Sequence, residues 1–177
     1  MTRDEPSIEH LEVRPATEDD AMRVQELRKN AWQKRYVHPE SGVTKELLAR
    51  KLAPLPPNEA DVARYESMLS KPENRAKNLV ATLDGNVVGT LTYDTLADGT
   101  GDIGVFVADE WNGRGVGDRL LDALIEMTDN ELQVEIFARN PSRDFYRAHG
   151  FRESGPEGRH YFTDEVYLPT QVLKLVR

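Results

Sequence analysis

The stretch VFVADEWNGRGVGDRLLDAL, residues 105–124, runs from apolar residues into three glycines within five positions and then into Leu120, Leu121 and Leu124 at helical spacing. This is the pattern of a strand that feeds a helix through a glycine turn, because glycine takes backbone angles and permits close approaches that a Cβ forbids. Such a turn presents backbone N–H groups at the positive end of a helix, where phosphate is the natural guest. The turn lacks the Gly-Lys-Ser/Thr ending of a Walker loop. Gly113-x-Gly115-x-Gly117 also lacks the further glycine and following acid of a dinucleotide fingerprint. Taken alone, such a turn is more often tight packing than a binding site.

The rest of the chain sets the context. At 177 residues, with 38% hydrophobic and 31% charged residues, it fits one globular domain, expected over residues 11–177 after a loose segment at 1–10. The longest apolar stretch, residues 103–108, is far short of a membrane span, and the polar start MTRDEPSIEH has no signal-peptide core, so a cytoplasmic protein without membrane partners is expected. A net charge of -8 disfavours broad binding to nucleic acid. There is no cysteine, and His10, His38, His149 and His160 are scattered, so neither thiolate chemistry nor a metal site is expected.

Periodicity predicts the elements. LEVRPA alternates as a first strand. Thr17 and Asp20 form a capping-box pair ahead of a helix carrying Val24, Leu27 and Ala31, and the aromatic segment WQKRYVHPESG follows that helix. TKELLARKL is a second helix, stopped by the prolines of APLPPN, and Val62, Tyr65, Met68 and Leu69 share a face of a third. Asp84-Gly85 between two apolar runs signals a hairpin, and IGVFV is a buried strand in which Gly104 suggests a bulge or close approach. After the glycine-turn helix come the strand LQVEIFA, the short helix PSRDFYRAH between Asn140 and Gly150, and two extended segments near Tyr161 and Val172.

Asn112-Gly113-Arg114-Gly115-Val116-Gly117, followed by Asn140, Phe145-Tyr146 and Gly150-Phe151, resembles the two cofactor motifs of the GNAT superfamily of acyl-CoA-dependent N-acetyltransferases. The resemblance is specific over residues 78–154. It implies a mixed α+β fold, with a twisted and mostly antiparallel sheet of about six or seven strands flanked by helices, and a splayed strand pair forming the CoA slot. It implies acetyl-CoA as co-substrate, cradled by backbone amides from Gly113 to Asp118, with pantetheine along Val105, Phe106 and Val107 and the strand of Ile136 splayed away. Arg143 and Arg147, four apart, then face the adenosine phosphates or are plain surface charge. Asn112 stands where the family usually has Gln or Arg. The spacing from Asn140 to Tyr146 is one residue short, which leaves Asn140 as a helix cap. Gly101, beside Asp102, holds a place that is glutamate in many members.

An alkyl amine with a pKa of about 10.4 is neutral in about one part in 2,500 at pH 7, so acetyl transfer needs a base or desolvation. Glu135 and Asp102 are the candidates, although an acid facing outward from a strand is usually just solvated. The family gives hydrogen-bond donation to the leaving thiolate to the tyrosine matching Tyr146; otherwise Tyr146 is a core residue. His149 is placed to complement the helix dipole. The resemblance implies an acceptor site built from the segment after the first helix and the final hairpin loop, here Trp32, Tyr36, His38 and Glu40, with Tyr161, Asp164 and Glu165. Aromatic walls near acids suit a small cationic amine, including a polyamine. Acetylation of a protein N-terminus or lysine, and acyl-CoA binding without turnover, remain the alternatives. Related folds commonly pair as homodimers, and the oligomeric state stays open.

Overall fold

A computed structural model describes residues 7–51 and 57–177. The loose start expected over residues 1–10 lies outside the described residues as far as residue 6, as does the proline stop as far as residue 56. Seven strands form one sheet in the order β1-β2-β3-β4-β5-β7-β6. They are β1 (Glu12–Pro15), β2 (Leu79–Leu83), β3 (Asn86–Thr95), β4 (Gly101–Val107), β5 (Leu132–Phe137), β6 (Phe151–Tyr161) and β7 (Tyr167–Leu175). The pairs β1–β2, β2–β3, β5–β7 and β6–β7 are antiparallel, and β4–β5 is parallel. The β4–β5 ladder holds only Gly101↔Leu132 and Asp102↔Gln133, whereas β5 pairs with β7 at five positions from Gln133↔Lys174 to Phe137↔Thr170. The mixed fold with a mostly antiparallel sheet is the one expected. Among the described residues no helix is long and apolar enough to cross a membrane.

The chain divides into two compact units: residues up to Leu27 with Glu59–Thr92 and Val105–Thr128, and Arg28–Asn58 with Tyr93–Gly104 and Asp129–Arg177. In the first, Leu83 pairs with Asn86 across the hairpin, and Asp84 (φ 48°) and Gly85 (φ 78°) both take the left-handed backbone that a two-residue turn of this hand requires. Helix α1 (Ala21–Arg35) starts from a short 3-10 turn at Glu18–Asp20. There the Asp20 carboxylate accepts the Thr17 N–H at 2.7 Å and two Arg14 N–H bonds at 2.7 and 2.9 Å. Burial works against ionising Asp20, but these donors outweigh it and hold the carboxyl below its ordinary value. Helix α2 (Lys45–Lys51) belongs to the second unit, and α3 (Glu59–Leu69) buries Val62, Tyr65 and Leu69 in the first. The short α4 (Pro72–Arg75) is not legible as a separate element in the periodicity; it opens on a proline, the residue that suits a first helical turn.

Helix α5 (Val116–Met127) buries Val116, Leu120, Leu121 and Leu124. It rests on β3 because Gly89 has no side chain: a Cβ there would lie 2.8 Å from Val116 Cγ1 and 3.1 Å from Leu120 Cδ1. In the second unit α1 continues to Arg35, so the helix keeps Trp32 and takes in the first residues of the aromatic segment expected after it. Val43, Leu47, Leu48, Phe162 and Leu168 form a buried cluster with Tyr36 and Phe137 packed against it. Helix α6 (Arg143–Ala148) buries Tyr146, and Gly150 ends it at φ 90°. Gly101 has a spatial reason: a Cβ there would fall 2.4 Å from the Tyr93 ring, whose hydroxyl accepts a hydrogen bond from Asn130 at 3.0 Å. A glutamate at that place would have to displace Tyr93.

Two stability changes follow. Gly89→Ala overpacks the seat of α5 and lowers unfolding free energy by about 1–3 kcal/mol, read from urea denaturation; an unchanged midpoint contradicts the seating. Asp20→Ala lowers stability by about 1–2 kcal/mol at pH 7. Because the Asp20 pKa is depressed in the folded chain, its contribution is present above the ordinary aspartate pKa and fades as pH falls through the folded value, so the two proteins converge in acid.

Candidate active site

In the first unit the end of β4 is fixed by the Ala108 N–H bonding the Val88 carbonyl at 2.8 Å, and a 3-10 turn at Asp109–Trp111 turns the chain toward α5. Val105 and Phe106 are buried and Val107 is partly exposed. Asn112 is extended and exposed, whereas Gly113 (φ 71°) and Gly115 (φ 87°) adopt angles that L side chains rarely take. A Cβ at Gly113 would meet nothing within 4 Å, so the backbone angle is what requires glycine there. Gly115 is the N-cap of α5 and no side chain caps the helix, so the first-turn N–H groups of Val116 and Gly117 point from the helix start toward solvent or an anion. Arg114 Nε donates to the Glu110 carbonyl at 3.0 Å and its guanidinium stands over the Trp111 ring. Two left-handed glycines before a helix start without a side-chain cap form a turn of the kind that can accept an anion.

The second unit carries a cavity of about 280 Å³. Its walls are rings: Trp32 stacks on Tyr36 at 6.2 Å, Phe137 meets Tyr36 edge-on at 4.3 Å, and His160 meets Phe137 edge-on at 5.9 Å. Burial pushes the Tyr36 phenol up to about 12, so it stays neutral. Asp102 and Glu135 line the same cavity. Asp102 pairs with Gln133 in the ladder, and Glu135, two residues farther along β5, lies on the same face as Gln133. Gln133 Nε2 donates to Asp102 Oδ1 at 3.2 Å. Burial raises the Asp102 pKa, and the charges of Glu135 and Asp94 add to that rise against the Gln133 bond. The cavity therefore joins a partly desolvated carboxylate, a more exposed one and an aromatic wall, a setting that attracts a cationic amine and can take a proton from it.

A second cavity of about 390 Å³ shares Phe137 with the first as a lining residue. His38 and Glu40 are here, with Arg35, Arg139 and Asn140, so Glu40 does not join Asp102 and Glu135. Asn140 Oδ1 accepts the Ser142 N–H at 2.8 Å in the turn that precedes α6, so the cap expected of Asn140 is displaced: the N-cap residue is Ser142, and no side chain caps the helix. Tyr161, Asp164 and Glu165 line neither cavity.

Tyr146 is 3% exposed and packs edge-on against Phe151 at 5.6 Å. Arg143 and Arg147 both converge on Glu153, Arg143 at 3.8 Å and Arg147 by a direct hydrogen bond. Their charge is thus partly balanced within the unit. His149 Nδ1 donates to the Phe145 carbonyl at 2.9 Å, in keeping with its place at the helix end. Sequence reasoning missed His160 and Thr170 in the first cavity and Arg35 and Arg139 in the second. Only the β5–β7–β6 register brings the first pair in, and nothing local in the sequence announces that register.

The family model for the Acetyltransferase (GNAT) domain matches residues 74–153. The L-amino acid N-acetyltransferase AaaT of Escherichia coli K12 is 30% identical over 131 residues, 68% of this chain and 80% of that protein. Among solved structures, a ribosomal-protein-alanine N-acetyltransferase from Brucella melitensis aligns with a TM-score of 0.67 and 24% identity, covering 94% of this chain and 99% of its own. A phosphinothricin acetyltransferase from Sinorhizobium meliloti, in complex with acetyl-CoA, aligns with a TM-score of 0.68 and 20% identity, covering 93% and 86%. Those two structures share the fold; the Escherichia coli relative also shares enough sequence to fix the family. The chain belongs to the GNAT superfamily and is an N-acetyltransferase.

Proposed function

We propose that the protein transfers an acetyl group from acetyl-CoA to the primary amine of a small molecule. The observation that carries this reading is the aromatic cavity in which Asp102 and Glu135 stand together. Its volume of about 280 Å³ suits a small acceptor better than a folded protein surface. The name of the Escherichia coli relative, an L-amino acid N-acetyltransferase, also points to small acceptors. Residues 11–177 are read as one acetyltransferase domain working in the cytoplasm.

The glycine turn is assigned the diphosphate of acetyl-CoA, through the amides from Gly113 to Asp118. When bound, acetyl-CoA supplies a thioester whose carbonyl carbon takes the amine lone pair and whose sulfur departs. Asp102 takes the proton that the amine loses, directly or through water. Its raised pKa narrows the gap to an amine, whose deprotonation at pH 7 costs about 4.6 kcal/mol from a pKa near 10.4. Glu135 and the rings hold the acceptor as a cation before that proton leaves. The Tyr146 phenol hydrogen-bonds the departing sulfur. Full proton transfer from a phenol near pKa 10 to a thiolate near 8.5 is uphill by about 2 kcal/mol, so Tyr146 donates a hydrogen bond and the proton is exchanged later.

Acetyl-CoA at 100 times its dissociation constant raises Tm by about 5–11 °C. Gly115→Val, which forces a side chain to φ 87°, abolishes most of that rise, and a wild-type protein without a shift contradicts the cradle. Tyr146→Phe lowers kcat by about a hundredfold, and undiminished turnover removes its role. Asp102→Asn removes the limb of the kcat/KM profile that rises with pH above the ordinary aspartate range. It also stabilises the fold at neutral pH: a carboxyl with a raised pKa favours folding only while protonated, so the gain disappears as pH falls below the ordinary aspartate pKa. A retained limb would place the base elsewhere.

A further inference from the structure

The second cavity has a charge opposite to that of the first. Arg35 and Arg139 both line it, and the guanidiniums outnumber its one carboxylate, Glu40. Among the described residues no ion pair or hydrogen bond engages either guanidinium, in contrast to Arg143 and Arg147, which Glu153 holds. Both side chains are exposed at the cavity and free to reorient toward a ligand. Leu168 and Pro169 give this cavity an apolar floor, and His38 is turned to Ser41, its Nδ1 standing 3.0 Å from the hydroxyl. Phe137 lines both cavities, so a ligand that reaches from one into the other along it meets Asp102 and Glu135 in the first and the two arginines in the second.

From this juxtaposition we propose that the acceptor carries a carboxylate as well as its amine, and that Arg35 and Arg139 bind that carboxylate. The acceptor is then a zwitterionic amino acid or short peptide rather than a polyamine. The proposal rests on the acetyl-transfer reading of the first cavity. A guanidinium recognises a carboxylate through two parallel N–H bonds, a match that a bare ammonium cannot offer. A polyamine would instead bring its second cation up to two arginines. The acids therefore select the amine end and the arginines select what lies beyond it.

The test uses the full chain saturated with CoA and titration calorimetry on matched ligands: methionine against 3-methylthiopropylamine, lysine against cadaverine, and Ala-Phe against its C-terminal amide. At least one carboxylate-bearing ligand is expected to bind tenfold or more tightly than its partner. Arg35→Gln with Arg139→Gln is expected to reduce that advantage below threefold, with thermal melting unchanged because both side chains are exposed. The amino-acid and peptide arms show which of the two supplies the carboxylate. Equal or tighter binding of the partners lacking it, an advantage that survives both substitutions, or no binding by any carboxylate-bearing ligand overturns the proposal. Thiol release from acetyl-CoA separates it from the reading beneath. A carboxylate advantage without release keeps the subsite and removes acetyl transfer, whereas release with polyamines and no carboxylate preference keeps acetyl transfer and removes the subsite.

Discussion

The seat of α5 on Gly89 is the contact on which the start of that helix depends, and with it the anion site proposed there. Val116 and Leu120 press against a backbone with no side chain, and this fixes the first turn of the helix, whose N–H groups lie just beyond the two left-handed glycines. An anion there gains from preset donors and from the helix dipole without ordering any side chain. The same residue that packs the core therefore positions the proposed binding loop, because a side chain at Gly89 would push against Val116, the first residue of the helix.

The chemistry has a different physical basis. An amine arrives charged and must react neutral, so the site has to attract a cation and then relieve it of a proton. In the proposed mechanism Asp102 and Glu135 divide that work by exposure: the more buried carboxylate, whose pKa is raised, takes the proton, and the exposed one attracts the cation. Aromatic rings exclude water around them while leaving their faces to a cation. Gly101 and Tyr93 show how local this arrangement is. The Tyr93 ring fills the space that a side chain at position 101 would need, and the acid falls at Asp102, one residue on.

Much of this was legible in the sequence because the signals were short-range. Asp84-Gly85 dictates a turn by its backbone angles, Gly113 and Gly115 dictate another, and Thr17 with Asp20 starts a helix. The motif around Tyr146 placed the family. What stayed hidden depended on pairings distant in the chain: His160 and Thr170 reach the first cavity through β6 and β7, and Arg139 stands with Arg35 and His38 from residues more than a hundred positions earlier. Glu40 was assigned by nearness in sequence to Trp32 and Tyr36. The helix carries the rings to one cavity and the following turn carries Glu40 to the other.

The central claim is that main-chain donors around Val116 hold the diphosphate of the coenzyme. Backbone amide resonances followed during titration of isotope-labelled protein with CoA test it most directly. The account predicts that the amides of Gly113, Gly115, Val116, Gly117 and Asp118 shift together and saturate at one dissociation constant, moving farther than any other group of amides in their unit. Unmoved resonances in that loop at saturating coenzyme would contradict it.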